Sequence, residues 1–90
     1  MSNKVIIFTM IGCSACAELK CELSNLKIPY NELYIHEYRN IWEQVVKQTG
    51  LRNLPTIFIQ EEQSEIGPVY IPGRDFETKD EIINIIKGYL

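Results

Sequence analysis

The strongest constraint on how this chain can fold is a change of hydrophobic periodicity wrapped around two cysteines. Lys4 to Thr9 contains Val5-Ile6-Ile7-Phe8, a continuous β-branched and aromatic run without alternation, the pattern of a strand buried on both faces. Met10-Ile11-Gly12 makes a turn. From about Ser14 to Leu26 the residues Cys16, Leu19, Leu23 and Leu26 then recur at helical spacing. Cys13 and Cys16 stand where the strand hands over to the helix, and a pair three apart at such a handover reads as a dithiol redox site. The first cysteine lies beside the unpaired N–H groups of the opening helical turn. The second is one turn further on nearly the same face, close enough for the two sulfurs to bond.

Ninety residues supply one core and not two, so residues 1–90 form a single domain. A net charge of -3, with nine Lys and Arg residues scattered rather than striped, argues against nucleic acid as a partner. No apolar run approaches the roughly 18 residues of a membrane span, and Met1-Ser2-Asn3-Lys4 leads directly into the first strand without a secretory-type segment. The expectation is a cytosolic protein. Three cysteines are an odd number for a disulfide-stapled secreted scaffold; in a reducing compartment they are catalytic, metal-binding or simply buried.

Tyr30 to Ile35 reads as a second strand, and its separation from the first by one helix implies a parallel crossover. A second helix is expected from about Tyr38 to Thr49, with Tyr38, Ile41, Trp42, Val45 and Val46 on one face and Gly50 as its stop. Leu54-Pro55-Thr56 leads into the strand Ile57-Phe58-Ile59. A polar connection bearing the glutamates of residues 61 to 65 separates it from Val69-Tyr70-Ile71, which suits an antiparallel hairpin. Thr78-Lys79-Asp80-Glu81 is a capping-box sequence opening a last helix that buries Ile82, Ile83, Ile85, Ile86 and Tyr89. The result is an α/β domain with a four-stranded mixed sheet flanked by three helices, its cysteines at the carboxyl end of the first strand, where open α/β sheets place their sites.

With that order in place the chain resembles a glutaredoxin, a small member of the thioredoxin-fold superfamily. Three motifs carry the resemblance: Cys13-Ser14-Ala15-Cys16 at the active-site dithiol, Asn53-Leu54-Pro55 in place of the family's Thr-Val-Pro, and Ile71-Pro72-Gly73-Arg74-Asp75 where the family has a Gly-Gly segment followed by an acidic residue. The resemblance implies a cis Pro55 against the dithiol and glutathione as co-substrate. It implies that the Leu54 backbone pairs with the cysteinyl part of glutathione as an added strand would. By the same carry-over, the segment Gly73-Arg74-Asp75 binds its γ-glutamyl end, the Arg74 and Asp75 backbone holding the carboxylate and the Asp75 side chain the amine. The chain also departs from the family, with Met10 where a lysine is usual, Ala15 where a tyrosine is usual, and Trp42 where a glutamine or arginine is frequent. Arg39 and Arg52 are the residues available to replace the missing positive charge.

The chemistry expected of the pair is thiol-disulfide exchange on disulfide-bearing protein clients, with Cys13 attacking and Cys16 resolving. Bringing a thiol from about 8.5 to about 5.5 requires roughly 4 kcal/mol of preferential thiolate stabilisation, and a helix N-terminus supplies about 0.3 to 2 kcal/mol. Amide donors must add the rest. With Met10 in place of a cation the depression should be mild. Two alternatives keep the dithiol: a redoxin recharged by thioredoxin reductase and serving ribonucleotide reductase, and a carrier of a [2Fe-2S] cluster. The family likeness attaches the carrier role to loss of the proline that Ser14 replaces, with Cys13 as cluster ligand together with glutathione and a second subunit. Outside that case no metal is expected, and the protein should be a monomer. Cys21 is about 12 Å along the helix from Cys13, beyond disulfide reach, and His36 has no second histidine with which to build a zinc site.

Overall fold

The computed structural model describes residues 3–61 and 67–90; of the glutamate-bearing connection expected at 61 to 65, all but Glu61 lies outside the described residues. The elements are β1 (Lys4–Thr9), α1 (Ser14–Asn25), β2 (Asn31–Tyr34), α2 (Arg39–Thr49), β3 (Thr56–Gln60), β4 (Val69–Tyr70) and α3 (Lys79–Lys87). They form one mixed sheet in the order β2-β1-β3-β4. β1 runs parallel to β2, from Ile6 opposite Asn31 to Thr9 opposite Tyr34, and antiparallel to β3, from Lys4 opposite Gln60 to Phe8 opposite Thr56. β3 and β4 make the antiparallel pair.

The unbroken apolar run of β1 is explained by what covers it. Side chains alternate between the faces of a strand, so Val5 and Ile7 point into a core built with Ile57 and Ile59 of β3, Leu19 and Leu23 of α1, and Ile82, Ile83 and Ile86 of α3. Phe8 points the other way, onto Trp42 of α2, with ring centroids 5.3 Å apart. One face therefore carries two helices and the main core, the other a single helix whose one buried side chain, Trp42, meets Phe8.

Two expected packing faces are narrower than the sequence suggested. Leu26 does not continue the stripe of α1 but is its C-cap, exposed, with its N–H donating to Glu22 O. Lys27, at φ 59°, turns the chain left-handed, and Ile28 is buried in place of Leu26, with its N–H donating to Leu23 O at 2.9 Å. On α2 Trp42 is the buried residue, whereas Tyr38 and Ile41 are exposed. Ile41 flanks a cleft of about 360 Å³ with Phe8, Phe58 and Val69, on the side where β4 is two residues long and cannot extend beneath the helix.

The helix ends follow their sequence signals. Gly50 closes α2 at φ 74°, donating to Val46 O at 2.7 Å. Thr78 and Glu81 form the reciprocal capping box of α3. Beyond α3, Tyr89 joins its hydroxyl to that of Tyr70 at 2.5 Å; that hydrogen bond, followed by burial, pushes the Tyr70 phenol up to about 12.

Candidate redox site

Gly12, at φ 85°, turns the chain out of β1, and Cys13 becomes the N-cap of α1 in an extended conformation, φ −88° and ψ 102°. Its carbonyl accepts the first helical bond, from Ala17 N–H at 3.1 Å. Its side chain takes the place an oxygen takes in most caps, the Sγ accepting the Cys16 N–H at 3.2 Å. Cys13 and Cys16 are joined as a disulfide with their Cα atoms 5.3 Å apart, well within the range that such a bond spans. Cys13 is half-buried and Cys16 only 1% exposed. From Val5 to Ala17 no side chain carries a charge, so what this stretch itself offers a Cys13 thiolate is the helix dipole and the aligned Cys16 amide.

The other two motifs converge on this end of the sheet. The register that sets Phe8 opposite Thr56 brings residues 53–55 to the end of β1 from which Cys13 departs. The Leu54-Pro55 bond is cis. Thr56 is buried, its hydroxyl donating to Asn53 O at 2.6 Å, and Asn53 Nδ2 donates to Pro72 O at 2.9 Å, tying the cis-proline loop to the segment after β4. Asn53 and Thr56 were not singled out from the sequence for this joining role; short polar side chains bracketing an X-Pro bond are the signal for it. Among the described residues the N–H and C=O of Leu54 make no hydrogen bond.

The segment around Gly73 is closed on itself. Gly73, at φ 87°, donates its N–H to Phe76 O at 2.8 Å, while the Arg74 and Asp75 amides both donate to Ile71 O, at 3.1 and 2.8 Å. Asp75 Oδ2 accepts from Ile71 N–H at 2.8 Å and from Arg74 Nε at 2.9 Å. Arg74 also donates through Nη2 to Val69 O at 3.0 Å. A carboxylate arriving here shares donors that already have acceptors.

Arg39 and Arg52 line one cleft of about 570 Å³, together with Ile35, His36 and Trp42. Arg52 is forked onto Glu43, at 3.3 and 3.0 Å, on an exposed surface. Cys21 is exposed and free. A further polar cluster had no signal in the sequence, because strand register creates it: Glu32 Oε2 meets Lys20 Nζ at 2.6 Å and the fully buried Thr9 hydroxyl at 2.7 Å. Burial alone would raise the Glu32 carboxyl, but the hydrogen bonds from Lys20 and Thr9 and the Lys20 charge outweigh it and hold it below its usual range. Among the described residues no three His, Cys, Asp or Glu side chains are grouped to hold a metal ion.

Comparison with known proteins agrees with this geometry. The glutaredoxin family model matches residues 5–63, well over half of the chain. No curated protein sequence matches significantly. Among solved structures, a malarial protein is 20% identical with a TM-score of 0.59, over 100% of this chain and 99% of its own. Glutaredoxin from Brucella melitensis is 21% identical with a TM-score of 0.56, over 94% and 79% of the two chains. A thioredoxin of Malassezia sympodialis is 14% identical with a TM-score of 0.64, over 98% and 75%. With its dithiol at the start of α1 and its thioredoxin-like sheet, the chain belongs to the glutaredoxin family.

Proposed function

We propose that this protein is a disulfide reductase recharged by glutathione. The observation that carries the reading is the division of labour between the two sulfurs: Cys13 caps a helix at a half-exposed position, whereas Cys16 is buried one turn inside it. In the reduced protein the Cys13 thiolate attacks one sulfur of a client disulfide. The client S–S bond breaks, its other sulfur leaves with the electron pair and takes up a proton, and a Cys13-client mixed disulfide forms. Cys16, as thiolate after losing its proton to solvent, then attacks the Cys13 sulfur and expels the second client thiolate. This leaves the Cys13–Cys16 disulfide seen here. Two glutathione thiols, becoming one glutathione disulfide, restore the dithiol. The open N–H and C=O of Leu54 beside the cis peptide bond support docking of the extended glutathione backbone, and Arg39 on its cleft offers a cation.

A second reading, a redoxin recharged by thioredoxin reductase with ribonucleotide reductase as client, is favoured by the closed state of the other anchors. Arg52 is paired to Glu43, Arg74 to Asp75, and the Gly73-to-Asp75 amides to their own loop. Reduction of the disulfide by glutathione with glutathione reductase, measured beside reduction by thioredoxin reductase, discriminates the two. Faster turnover with glutathione is the expected result, and turnover with thioredoxin reductase alone would replace the first reading by the second.

A further inference from the structure

The surroundings of Cys13 specify a class of client; this inference rests on the exchange reaction proposed above. Two large apolar side chains stand exposed in the turn that leads to the reactive sulfur, Met10 at 41% and Ile11 at 79%, the latter the most exposed large hydrophobic among the described residues. Ala15, on the other side of Cys13, is exposed as well. Neither Met10 nor Ile11 serves the core, and both lie within three residues of a sulfur that any client must touch.

The polar side of the same surroundings points the same way. No side chain from Val5 to Ala17 is charged. Of the cations discussed above, Lys20 is held by Glu32, Arg52 by Glu43, and Arg74 by Asp75 and the Val69 carbonyl, and Arg39 belongs to the cleft beside Ile35 and Trp42 proposed above for glutathione rather than to the turn that carries Cys13. A client segment carrying carboxylates beside its cysteine therefore loses hydration against Met10 and Ile11 without gaining an ion pair from the turn itself. An apolar segment gains burial against Met10 and Ile11. Its extended backbone has an open N–H and C=O to meet at Leu54, which the register of β1 and β3 brings to the same end of the sheet.

We propose that Met10 and Ile11 determine client specificity, selecting protein disulfides in which an apolar residue adjoins the cysteine in an extended segment, over disulfides flanked by carboxylates. The test uses two peptides of equal length, one with leucine and valine beside its cysteine and one with glutamates. Each is presented to the reduced protein as a mixed disulfide with 2-mercaptoethanol, and single-turnover rates are compared. The apolar peptide should react about tenfold faster. Ile11→Lys should reverse much of that ratio, and Ile11→Ser should lower the apolar rate while leaving the acidic rate in place. Equal rates for the two peptides in the parent protein overturn the proposal, as does an unchanged ratio in both variants. Reduction of bis(2-hydroxyethyl) disulfide by the parent and by Cys13→Ser is measured alongside. If the serine variant matches the parent there, the failure lies in the exchange reaction and not in client recognition.

Discussion

The first turns of α1 and α3 solve the same problem with opposite chemistry. At α3, Thr78 Oγ1 accepts the Glu81 N–H at 3.2 Å, and Glu81 Oε1 accepts the Thr78 and Glu77 N–H groups, each at 3.0 Å, with Asp80 adding a second negative charge to the turn. Every part of that arrangement holds the helix in place. At α1 the only side-chain cap is one sulfur, with no acidic residue in the turn. A thiol is a poor acceptor and a thiolate a good one, so this cap strengthens when the sulfur ionises, the state that attacks disulfides. A second acceptor would make α1 firmer but would take the donors on which that ionisation depends.

Exchange at the two caps should therefore separate activity from stability. Cys13→Ser keeps a strong N-cap residue and should fold as well as the parent in urea titrations, while disulfide reduction falls by about a thousandfold or more. Titration of the reduced protein by thiolate absorbance should place Cys13 below about 8.5 but not below about 5, because dipoles and amides act there without a cation.

Thr78→Ala is the mirror case, costing about 1 kcal/mol of stability with turnover unchanged. Glu81 adds a pH signature absent from α1: hydrogen bonds from the Glu77 and Thr78 amides hold its carboxyl below the usual 4.5. Its contribution is complete above 4.5 and disappears as pH falls through the lower folded-state value. The stability difference between parent and Glu81→Gln should thus shrink in acid, as followed by chemical denaturation across pH. The smallest effect is expected at the far end of α1, where Lys27 occupies a left-handed conformation. Lys27→Gly should leave activity alone and change stability by no more than about 1 kcal/mol, in the stabilising direction.

What could be read from the sequence was whatever depends on near neighbours. The β1 run, the strand-to-helix placement of the dithiol, the Gly50 stop and the Thr78 capping box are local patterns, and each appears where its residues put it. The cis form of Leu54-Pro55 followed from the family likeness rather than from any local preference, and it is present. The closed loop at Asp75, the Arg52–Glu43 fork and the Lys20–Glu32–Thr9 cluster were not legible, because each joins groups whose meeting depends on how a loop folds back or how strands align. The buried faces of α1 and α2 are narrower than helical spacing alone predicts, for a related reason. Helical spacing names the candidates for burial, but the left-handed Lys27 and the short β4 decide which of them are covered.

The position of β1 inside the sheet has a bearing on endurance. With β2 on one side and β3 on the other, it is one of the two inner strands and is paired along both edges, and such strands exchange their amide protons only when the whole molecule opens. The pivot that aims the reactive sulfur hangs from that strand. Breathing at the outer members of the sheet leaves its aim intact, so catalytic competence and global integrity should be lost together on heating rather than one before the other.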